Sequence, residues 1–448
     1  MKIVWFTPEL GNFSSGIVNH NRIFINYLHN HPDVQQIDVV KYPFPEDKRT
    51  PPAVQDIGGI RYYTPRISLP YHDAFKSILQ ADLKCLERLK IHLMKLALRF
   101  KGIKTLDLEQ IKQWGKVEYG LLGIASVQKP FPNPIQTQIG KFIAQLQPDI
   151  IQSHVEMFSI AGSIAKEVAK GHISYQIIVE EEREALPPRS LMSAFWDRID
   201  EALQWLIEQQ AVDRYVAASE YVKTRLMTRG ITKDLIHVIP SPVVIRDLTP
   251  INKEEARSRL GIPQNKRVLL TVGRVVERKR IVDIIRILKD LPDDVILYFK
   301  RSVSSSDYIL PSGLNSLLKE IRKAKLEKRV IINSEVLPYE RMHEIYSAAD
   351  IAIFPFLYEP FGMCAAEAMA VGRPLIVYDS GYLPNFVNGN GFTVKPLDLQ
   401  ALREKVEILL RDPSLADEMG AKGRILVKQY DINVLGERLL KIYQEFVK

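Results

Sequence analysis

Residues 351–379 read IAIFPFLYEPFGMCAAEAMAVGRPLIVYD and predict a strand, a turn, a helix and a second strand. The apolar run 351–356 has the continuous hydrophobicity of a parallel strand that is buried on both faces. The helix spans 363–371, a stretch rich in Ala and Met, and residues 375–378 form the next strand. A strand–helix–strand unit of this kind is the building block of a parallel α/β sheet.

A glycine and two carboxylates surround the start of this helix. Gly362 precedes the first turn, where backbone N–H groups point outward and favour an anion. Glu359 lies in the turn before the helix and Glu367 lies inside it, with seven residues between them. The stretch therefore predicts an anion site flanked by two carboxylates.

Composition indicates a soluble protein of two domains. The chain has 448 residues, of which 46% are hydrophobic and 25% are charged, and a typical domain is about 100–200 residues. Two cysteines argue against a disulfide framework and favour a reducing, cytoplasmic compartment. Residues 1–10 enter a strand directly, without the long apolar core of a signal peptide.

The formal net charge of +8 favours anionic partners. Phosphates, nucleotides and acidic lipids are the candidates. Nucleic acid is not expected, because the sequence has no helix-turn-helix, zinc-finger or RNA-binding signature. No apolar run approaches the ~20 residues that a membrane span needs.

Strands and helices alternate in two series, which a proline-rich stretch at 240–250 separates. Parallel strands with crossover helices in both series predict an α/β fold of two Rossmann-like, doubly wound domains that face a cleft. We expect an N-terminal domain over 1–245, a C-terminal domain over 246–430, and a final helix over 431–448 that packs back across the junction. The predicted strands are 2–6, 36–40, 60–63, 149–153, 173–179, 214–218 and 235–239 in the first series, and 268–272, 295–299, 329–332, 351–356 and 375–378 in the second.

Residues 71–127 interrupt the first series. Leucines recur at helical spacing from Leu79 to Leu96 and are interleaved with lysines and arginines, which predicts a helical insertion. Its basic face is either solvated, with the leucines packed on the N-terminal domain, or in contact with an anionic surface such as the inner face of a membrane.

A second group of candidate residues follows the first strand of the second series. Gly273 ends that strand, Arg274 comes next, and Lys279 follows five residues later. A strand-end glycine followed by Arg and Lys suits a diphosphate. Placed opposite the helix mouth at Gly362, these cations would neutralise the charge that builds on a departing nucleotide. Either residue taken alone is more typical of an exposed basic side chain.

Two blocks resemble the signature blocks of glycosyltransferase family 4, whose members are retaining enzymes of GT-B fold. They are VGRVVERK at 272–279 and FPFLYEPFGMCAAEAMAVGRPLIV at 354–377. Residues 212–226, VDRYVAASEYVKTRL, together with 237–243, HVIPSPV, resemble the family's passage into its second domain. The resemblance covers the chain from about Asp149 onward and the glycine-bearing loop TPELGNFSSG at 7–16.

The resemblance implies a retaining transferase that moves a hexosyl or N-acetylhexosaminyl group from a nucleoside diphosphate sugar to a hydroxyl acceptor, with a UDP-sugar favoured. It implies no cofactor and no metal, because Arg274, Lys279 and the helix end would stabilise the charge of the leaving diphosphate, and no Asp-x-Asp motif appears near a strand end. In the family's mechanism the leaving diphosphate itself accepts the proton of the acceptor, which suits the lack of an obvious general base. The acceptor is a small molecule, a glycan or a lipid-linked molecule bound by the N-terminal domain, and the C-terminal domain binds the nucleotide sugar. Closure of the domains would exclude water.

Three residues carry the implied chemistry. Glu359 would contact the sugar hydroxyls or stabilise positive character at the anomeric carbon, and Arg274 and Lys279 would hold the donor diphosphate. The implied donor contacts are backbone N–H groups of Phe361, Gly362 and Met363 for phosphate or sugar, Glu367 for the ribose, Gly16 and Gly273 for the diphosphate side, and His154 for the transferred sugar. A histidine at a strand end is equally typical of a structural residue.

Some positions depart from the family pattern. Lys300 and the two residues after it stand where a glycine-rich turn is usual, so contacts to the nucleotide base can differ. Glu180 and Glu182 stand at a strand end that often carries a histidine. These two acids either meet a polyol or amine acceptor or belong to a solvated loop.

Two other functions are compatible with parts of the pattern. A glycosidase would use Glu359 and Glu367 as acid and base, but Glu367 lies more than a turn inside the helix, so the pair need not face one bond. A non-catalytic sugar-binding or scaffold subunit of a glycosyltransferase complex is the alternative of another class. The presence of both glutamates together with Arg274 and Lys279 favours an enzyme.

Overall fold

The computed structural model describes residues 1–7, 16–41, 54–63, 68–70, 105–107, 131–154, 156–169, 174–179, 191–302 and 313–447. Its strands are β1 (Lys2–Thr7), β2 (Gln36–Lys41), β3 (Val54–Ile57), β4 (Ile60–Tyr63), β5 (Ser68–Pro70), β6 (Thr105–Asp107), β7 (Ile150–His154), β8 (Ser174–Val179), β9 (Arg214–Ala217), β10 (Ile236–Val238), β11 (Arg267–Gly273), β12 (Val295–Arg301), β13 (Val330–Asn333), β14 (Ile351–Phe354), β15 (Leu375–Tyr378) and β16 (Gly391–Val394). Its helices are α1 (Gly16–His29), α2 (Pro134–Gln145), α3 (Glu156–Val168), α4 (Leu191–Glu208), α5 (Glu220–Thr228), α6 (Lys253–Arg259), α7 (Ile281–Leu288), α8 (Leu314–Lys323), α9 (Met342–Ser347), α10 (Met363–Ala370), α11 (Leu399–Arg411), α12 (Pro413–Leu426) and α13 (Ile432–Val447).

Two sheets organise the molecule. The eight-stranded N-terminal sheet has the order β10-β9-β8-β7-β1-β2-β4-β3, and the six-stranded C-terminal sheet has the order β13-β12-β11-β14-β15-β16. All neighbours within these sheets are parallel except β3 and β4. The prediction of an α/β fold with two doubly wound, Rossmann-like sheets is confirmed.

The strand order reverses once in each sheet. In the C-terminal sheet, β12 and β13 lie on one side of β11, and β14 to β16 lie on the other. In the N-terminal sheet the reversal falls between β1 and β7, which pair with each other. Ligands of doubly wound sheets bind outside the carboxyl ends of the strands at such a reversal. A ligand site is therefore expected at the carboxyl ends of β11 and β14.

Apolar residues bury the sheets on both faces. Every residue of β14 is buried, as its uninterrupted apolar sequence predicts. One apolar cluster extends from Trp5 in the N-terminal sheet through Val243 to Leu269 in the C-terminal sheet. The two sheets thus share a continuous core where the chain passes from one to the other.

Helix α13 follows the C-terminal sheet in sequence but lies against α1 and the N-terminal sheet. The Tyr27 hydroxyl donates to Glu437 Oε1 at 2.6 Å, and the buried Tyr443 hydroxyl donates to Gln152 Oε1 at 2.9 Å. A Cβ at Gly436 would lie 2.3 Å from Cε1 of Tyr27, so only glycine permits this approach of the two helices. These contacts tie the end of the chain to its beginning.

Four short strands add to the predicted set, namely β3, β5, β6 and β16. Runs of three or four residues are too short for periodicity to separate strand from turn. β6 pairs antiparallel with β5 and lies inside the predicted helical insertion. The helical prediction is therefore wrong at Thr105–Asp107, and residues 71–104 and 108–127 lie outside the described part of the chain. Among the described helices, none has the length and apolar character needed to cross a membrane.

Candidate active site

The carboxyl ends of β11 and β14 lie side by side because these strands are neighbours in the C-terminal sheet. Gly273 ends β11 with a φ of +151°, and the half-buried Arg274 follows it. The Lys279 side chain packs over Gly273, since a Cβ there would lie 3.7 Å from Cε of Lys279. Glu359 belongs to the turn that leaves β14. The sequence therefore brings these predicted residues to one point of the sheet.

Glu359 is surrounded by positive charge. Its Oε2 accepts a hydrogen bond from Nζ of Lys279 and lies 3.4 Å from Nη1 of Arg278. Burial by itself would raise the pKa of Glu359, but Lys279, Arg278 and more weakly Arg274 outweigh it, so the pKa is lowered. The carboxylate is consequently ionised at neutral pH.

Lys279 lies between this carboxylate and an aromatic ring. Its side chain is 9% exposed, and Nζ lies 3.7 Å from the centroid of the Phe356 ring, a cation–π arrangement. Burial lowers the pKa of Lys279, and the neighbouring Glu359 opposes that shift. Lys279 meets Glu359 because the loops after two adjacent strands leave the sheet on the same side. Its placement opposite the helix mouth at Gly362 stays a prediction.

Arg278 clamps the turn that carries Glu359. The Arg278 carbonyl accepts from the Leu357 N–H at 2.8 Å, and Nη1 of Arg278 donates to the Tyr358 carbonyl at 2.8 Å. Arg278 is 8% exposed. Arg278 lies within the VGRVVERK block, but no role was predicted for it from the sequence. The run of cations in that block was the available signal.

Residues 380–382, after β15, hold the same turn from the other side. The Ser380 hydroxyl donates to the Leu357 carbonyl, and the Tyr382 N–H donates to the Glu359 carbonyl at 2.9 Å. Gly381 has a φ of +61°, and a Cβ there would lie 2.5 Å from the Glu359 carbonyl oxygen. Position 381 therefore needs glycine both for its conformation and for its close approach to the turn.

Helix α10 begins directly beside Glu359. Gly362 is its N-cap with a φ of +103°, and a Cβ there would lie 3.3 Å from Cγ of Glu359. Met363 is the first helical residue and is buried. The Phe361 ring is 2% exposed and packs at centroid distances of 5.1–5.6 Å against three other rings, which belong to Tyr382, Phe386 and Tyr430. Phe361 thus anchors the loop by its side chain and leaves its backbone at the helix mouth.

Glu367 is buried one turn further along α10. Tyr346 on α9 donates its hydroxyl to Oε2 of Glu367 at 2.5 Å. Burial raises the pKa of Glu367 to about 7, and the Tyr346 hydrogen bond opposes the shift. Tyr346 was not predictable from the sequence, because it lies on another helix and belongs to no local motif.

The remaining predicted residues belong to the N-terminal sheet or lie outside the described chain. Gly16 is the first residue of α1, after β1, and His154 is the last residue of β7, the neighbour of β1. Both therefore lie at the carboxyl edge where that strand order reverses. The His154 side chain, Glu180 and Glu182 lie outside the part that the structure describes. In that described part, no group of three or more His, Cys, Asp or Glu side chains is placed to bind a metal ion.

Part of the chain is similar in sequence to known proteins. Residues 252–426 match the family model described as "Glycosyl transferases group 1". The D-inositol 3-phosphate glycosyltransferase of Xylanimonas cellulosilytica is 28% identical over 253 residues, which are 54% of this chain and 60% of that protein. The alpha-maltose-1-phosphate synthase of Mycolicibacterium smegmatis is 26% identical over 250 residues, 53% of this chain and 64% of its own. The matched region thus spans less than two thirds of either relative.

Solved structures show the same fold over nearly the whole chain. Sucrose-phosphate synthase from Thermosynechococcus elongatus superposes with a TM-score of 0.71 at 16% identity and covers 99% of both chains. Anabaena HepE in complex with UDP-glucose gives a TM-score of 0.65 at 16% identity, covering 99% of this chain and 100% of its own. Residues 252–426 thus match the group 1 glycosyltransferase model, and the fold of the chain is similar to that of solved glycosyltransferases of GT-B architecture.

Proposed function

We propose that this chain is a retaining glycosyltransferase that moves a hexose or N-acetylhexosamine from a nucleoside diphosphate sugar to a hydroxyl acceptor without a metal. One observation carries the proposal. The ionised Glu359 carboxylate stands at the strand-order reversal of the C-terminal sheet, between a group of cations and the start of α10. Sugar transfer needs both charges there, because the anomeric carbon becomes positive while the leaving diphosphate becomes negative.

The cations and the helix mouth suit the diphosphate. Arg274 and Lys279 follow β11, and the first N–H groups of α10 have no partner within the helix. Positive charge that is already in place stabilises a leaving diphosphate without reorganisation. Glu359 is close to the same point and would stabilise the anomeric carbon or bind the sugar hydroxyls.

Glu367 suits the ribose. Tyr346 occupies Oε2, and a deprotonated carboxylate keeps further acceptor sites for the two ribose hydroxyls. On the side of the N-terminal sheet, Gly16 would line the phosphates and His154 the transferred sugar. Glu180 and Glu182 would meet the acceptor.

The related proteins favour UDP as the nucleotide. The HepE structures hold UDP, or UDP-glucose, and the relatives carry names of enzymes that glycosylate inositol phosphate or make maltose 1-phosphate. We infer a hydroxyl acceptor on a small molecule, a glycan or a lipid-linked molecule. We also infer a cytoplasmic protein, and contact of the basic stretch inside 71–127 with the inner face of a membrane is the alternative to a solvated basic face.

A panel of UDP-, GDP- and ADP-sugars tests the proposal. The matching donor is expected to raise the melting temperature of the full chain, because it binds only the native state. Incubation with candidate acceptors should then give a product whose anomeric configuration, read by NMR, equals that of the donor and whose yield is unchanged by EDTA. An inverted product would contradict the retaining assignment. Binding of a donor with neither transfer nor hydrolysis would favour the non-catalytic subunit.

A further inference from the structure

Ser219 makes two hydrogen bonds with one hydroxyl at the carboxyl edge of the N-terminal sheet. It lies two residues after β9, is fully buried, and caps α5 by accepting from the Val222 N–H at 3.2 Å. The same hydroxyl donates to the Pro360 carbonyl at 2.6 Å. A hydroxyl can donate and accept at once, so the cap does not compete with the second bond.

The second bond crosses from one sheet to the other. Pro360 follows Glu359 directly, and the contacts from Arg278, Ser380 and Tyr382 to this turn all come from the C-terminal sheet. Ser219 reaches the turn from the N-terminal sheet. Close beside it, the Tyr221 ring meets the Tyr358 ring edge to face, with centroids 5.8 Å apart.

We propose that Ser219 is a positioning residue for Glu359, which completes the orientation of the 357–360 turn only when the carboxyl edges of the two sheets meet. The inference rests on the proposed function, in which Glu359 acts on the sugar. Its physical basis is that the Ser219–Pro360 bond is short and buried and ends on the residue next to the carboxylate. Separation of the sheets would break this bond and leave the Arg278, Ser380 and Tyr382 contacts in place. Glu359 would then be oriented for transfer in the closed molecule and less so in an open one.

If Ser219 served only as a helix cap, its loss would lower stability without affecting the 357–360 turn. A matched pair of variants distinguishes this role from the proposed one. Ser219→Ala removes both the cap and the bond to Pro360. Asn252→Ala removes a cap of the same kind from α6, where the Asn252 side chain accepts from the Glu255 N–H at 3.0 Å. Both variants should lower the melting temperature, and only Ser219→Ala should affect the turn.

Two measurements on the full chain test whether Ser219 positions the turn or only caps α5. Hydrogen exchange followed by mass spectrometry should show faster exchange across 357–362 in Ser219→Ala and no change there in Asn252→Ala. With the matching donor, kcat for transfer should fall at least about tenfold in Ser219→Ala, while the donor KM stays within about twofold, because misplacement of a catalytic group affects the transition state more than binding. Unchanged exchange across 357–362, or a kcat equal to that of Asn252→Ala, would overturn the proposal.

A second variant tests the proposal in case Ser219→Ala does not fold. Tyr221→Leu removes the ring contact with Tyr358 and leaves the Ser219 cap intact, so it should give a smaller change of the same kind in exchange and kcat. If the wild-type protein transfers no sugar from any donor, the proposed function fails. The exchange data would still decide whether Ser219 holds the turn, so the two failures are distinguishable.

Discussion

The Tyr346 hydroxyl donates a hydrogen bond of 2.5 Å to the Glu367 carboxylate, and both side chains are buried. Burial and the adjacent Glu367 raise the pKa of Tyr346, so the phenol stays protonated and acts as the donor. Burial also raises the pKa of Glu367 to about 7. The protonation of Glu367 therefore changes within the physiological range, and Tyr346 favours its charged form.

Nucleotide affinity should depend on pH through Glu367. If the carboxylate binds the ribose hydroxyls, affinity for UDP should fall as pH drops below about 7, where Glu367 gains a proton. Tyr346→Phe removes a bond that lowers this pKa, so the loss of affinity should move to higher pH by up to about one unit. Calorimetric titration with UDP between about pH 5.5 and 8.5 measures both curves. The Glu367→Gln variant should bind UDP weakly and without this pH dependence. A wild-type affinity for UDP that does not vary with pH would argue against the assignment of Glu367 to the ribose.

Removal of the Glu359 charge should separate catalysis from nucleotide binding. Glu359→Gln keeps the shape of the side chain but leaves Lys279 and Arg278 without their counter-charge. We expect kcat to fall by about 10²–10³, a usual loss for one electrostatic group in a site. Affinity for UDP should stay equal or rise, because the two cations then face the diphosphate alone. Steady-state rates and calorimetry check the two effects, with the exposed Glu277→Gln as control; wild-type turnover by Glu359→Gln would remove Glu359 from the mechanism.

Arg278 should affect the rate of transfer because it holds the turn that carries Glu359. Arg278→Lys keeps a positive charge near Glu359, but an ammonium lacks the planar fork that reaches the Tyr358 carbonyl and the carboxylate together. We expect kcat to fall about tenfold, equivalent to one lost hydrogen bond, with UDP affinity unchanged. Arg286→Lys on α7, where the side chain is 50% exposed and pairs with Asp283, is the control and should behave as wild type. Equal kcat values for the two variants would show that Arg278 does not position the turn.

Replacement of Gly381 should lower stability and transfer rate more than replacement of another glycine of the same conformation. Gly381→Ala and Gly261→Ala replace glycines with φ of +61° and +65°, which should cost each variant about 1 kcal/mol in the free energy of unfolding. At Gly261 the added Cβ meets nothing within 4 Å, whereas at Gly381 it would lie 2.5 Å from the Glu359 carbonyl. Urea denaturation should show a larger loss for Gly381→Ala. Initial rates should show a lower kcat for that variant alone, and equal rates would mean that the turn tolerates displacement.

Many strands and helices of this protein were predictable from residues close together in the sequence. The predicted strand 375–378 matches β15, and the predicted final helix over 431–448 corresponds to α13 (Ile432–Val447). Both were predictable because apolar periodicity and the flanking glycine, proline and aspartate residues act over a few neighbours. Ser219 caps α5, in line with the preference for serine at the position before a helix. The strands β3, β5, β6 and β16 were missed because each is stabilised by its partner strand and hardly by its own composition.

The amino-acid order alone was enough to indicate two parallel α/β sheets and a glycine at a helix mouth between two carboxylates, because these features depend on residues close together in the chain. The partners of those carboxylates depended on the strand order. Lys279 pairs with Glu359 across 80 positions, and Ser219 reaches Pro360 across 141. β11 and β14 must be neighbours for the first contact, and the edges of the two sheets must meet for the second. Only the folded chain brings those groups within hydrogen-bonding distance, where burial and charge then set the pKa of Glu359 and Glu367.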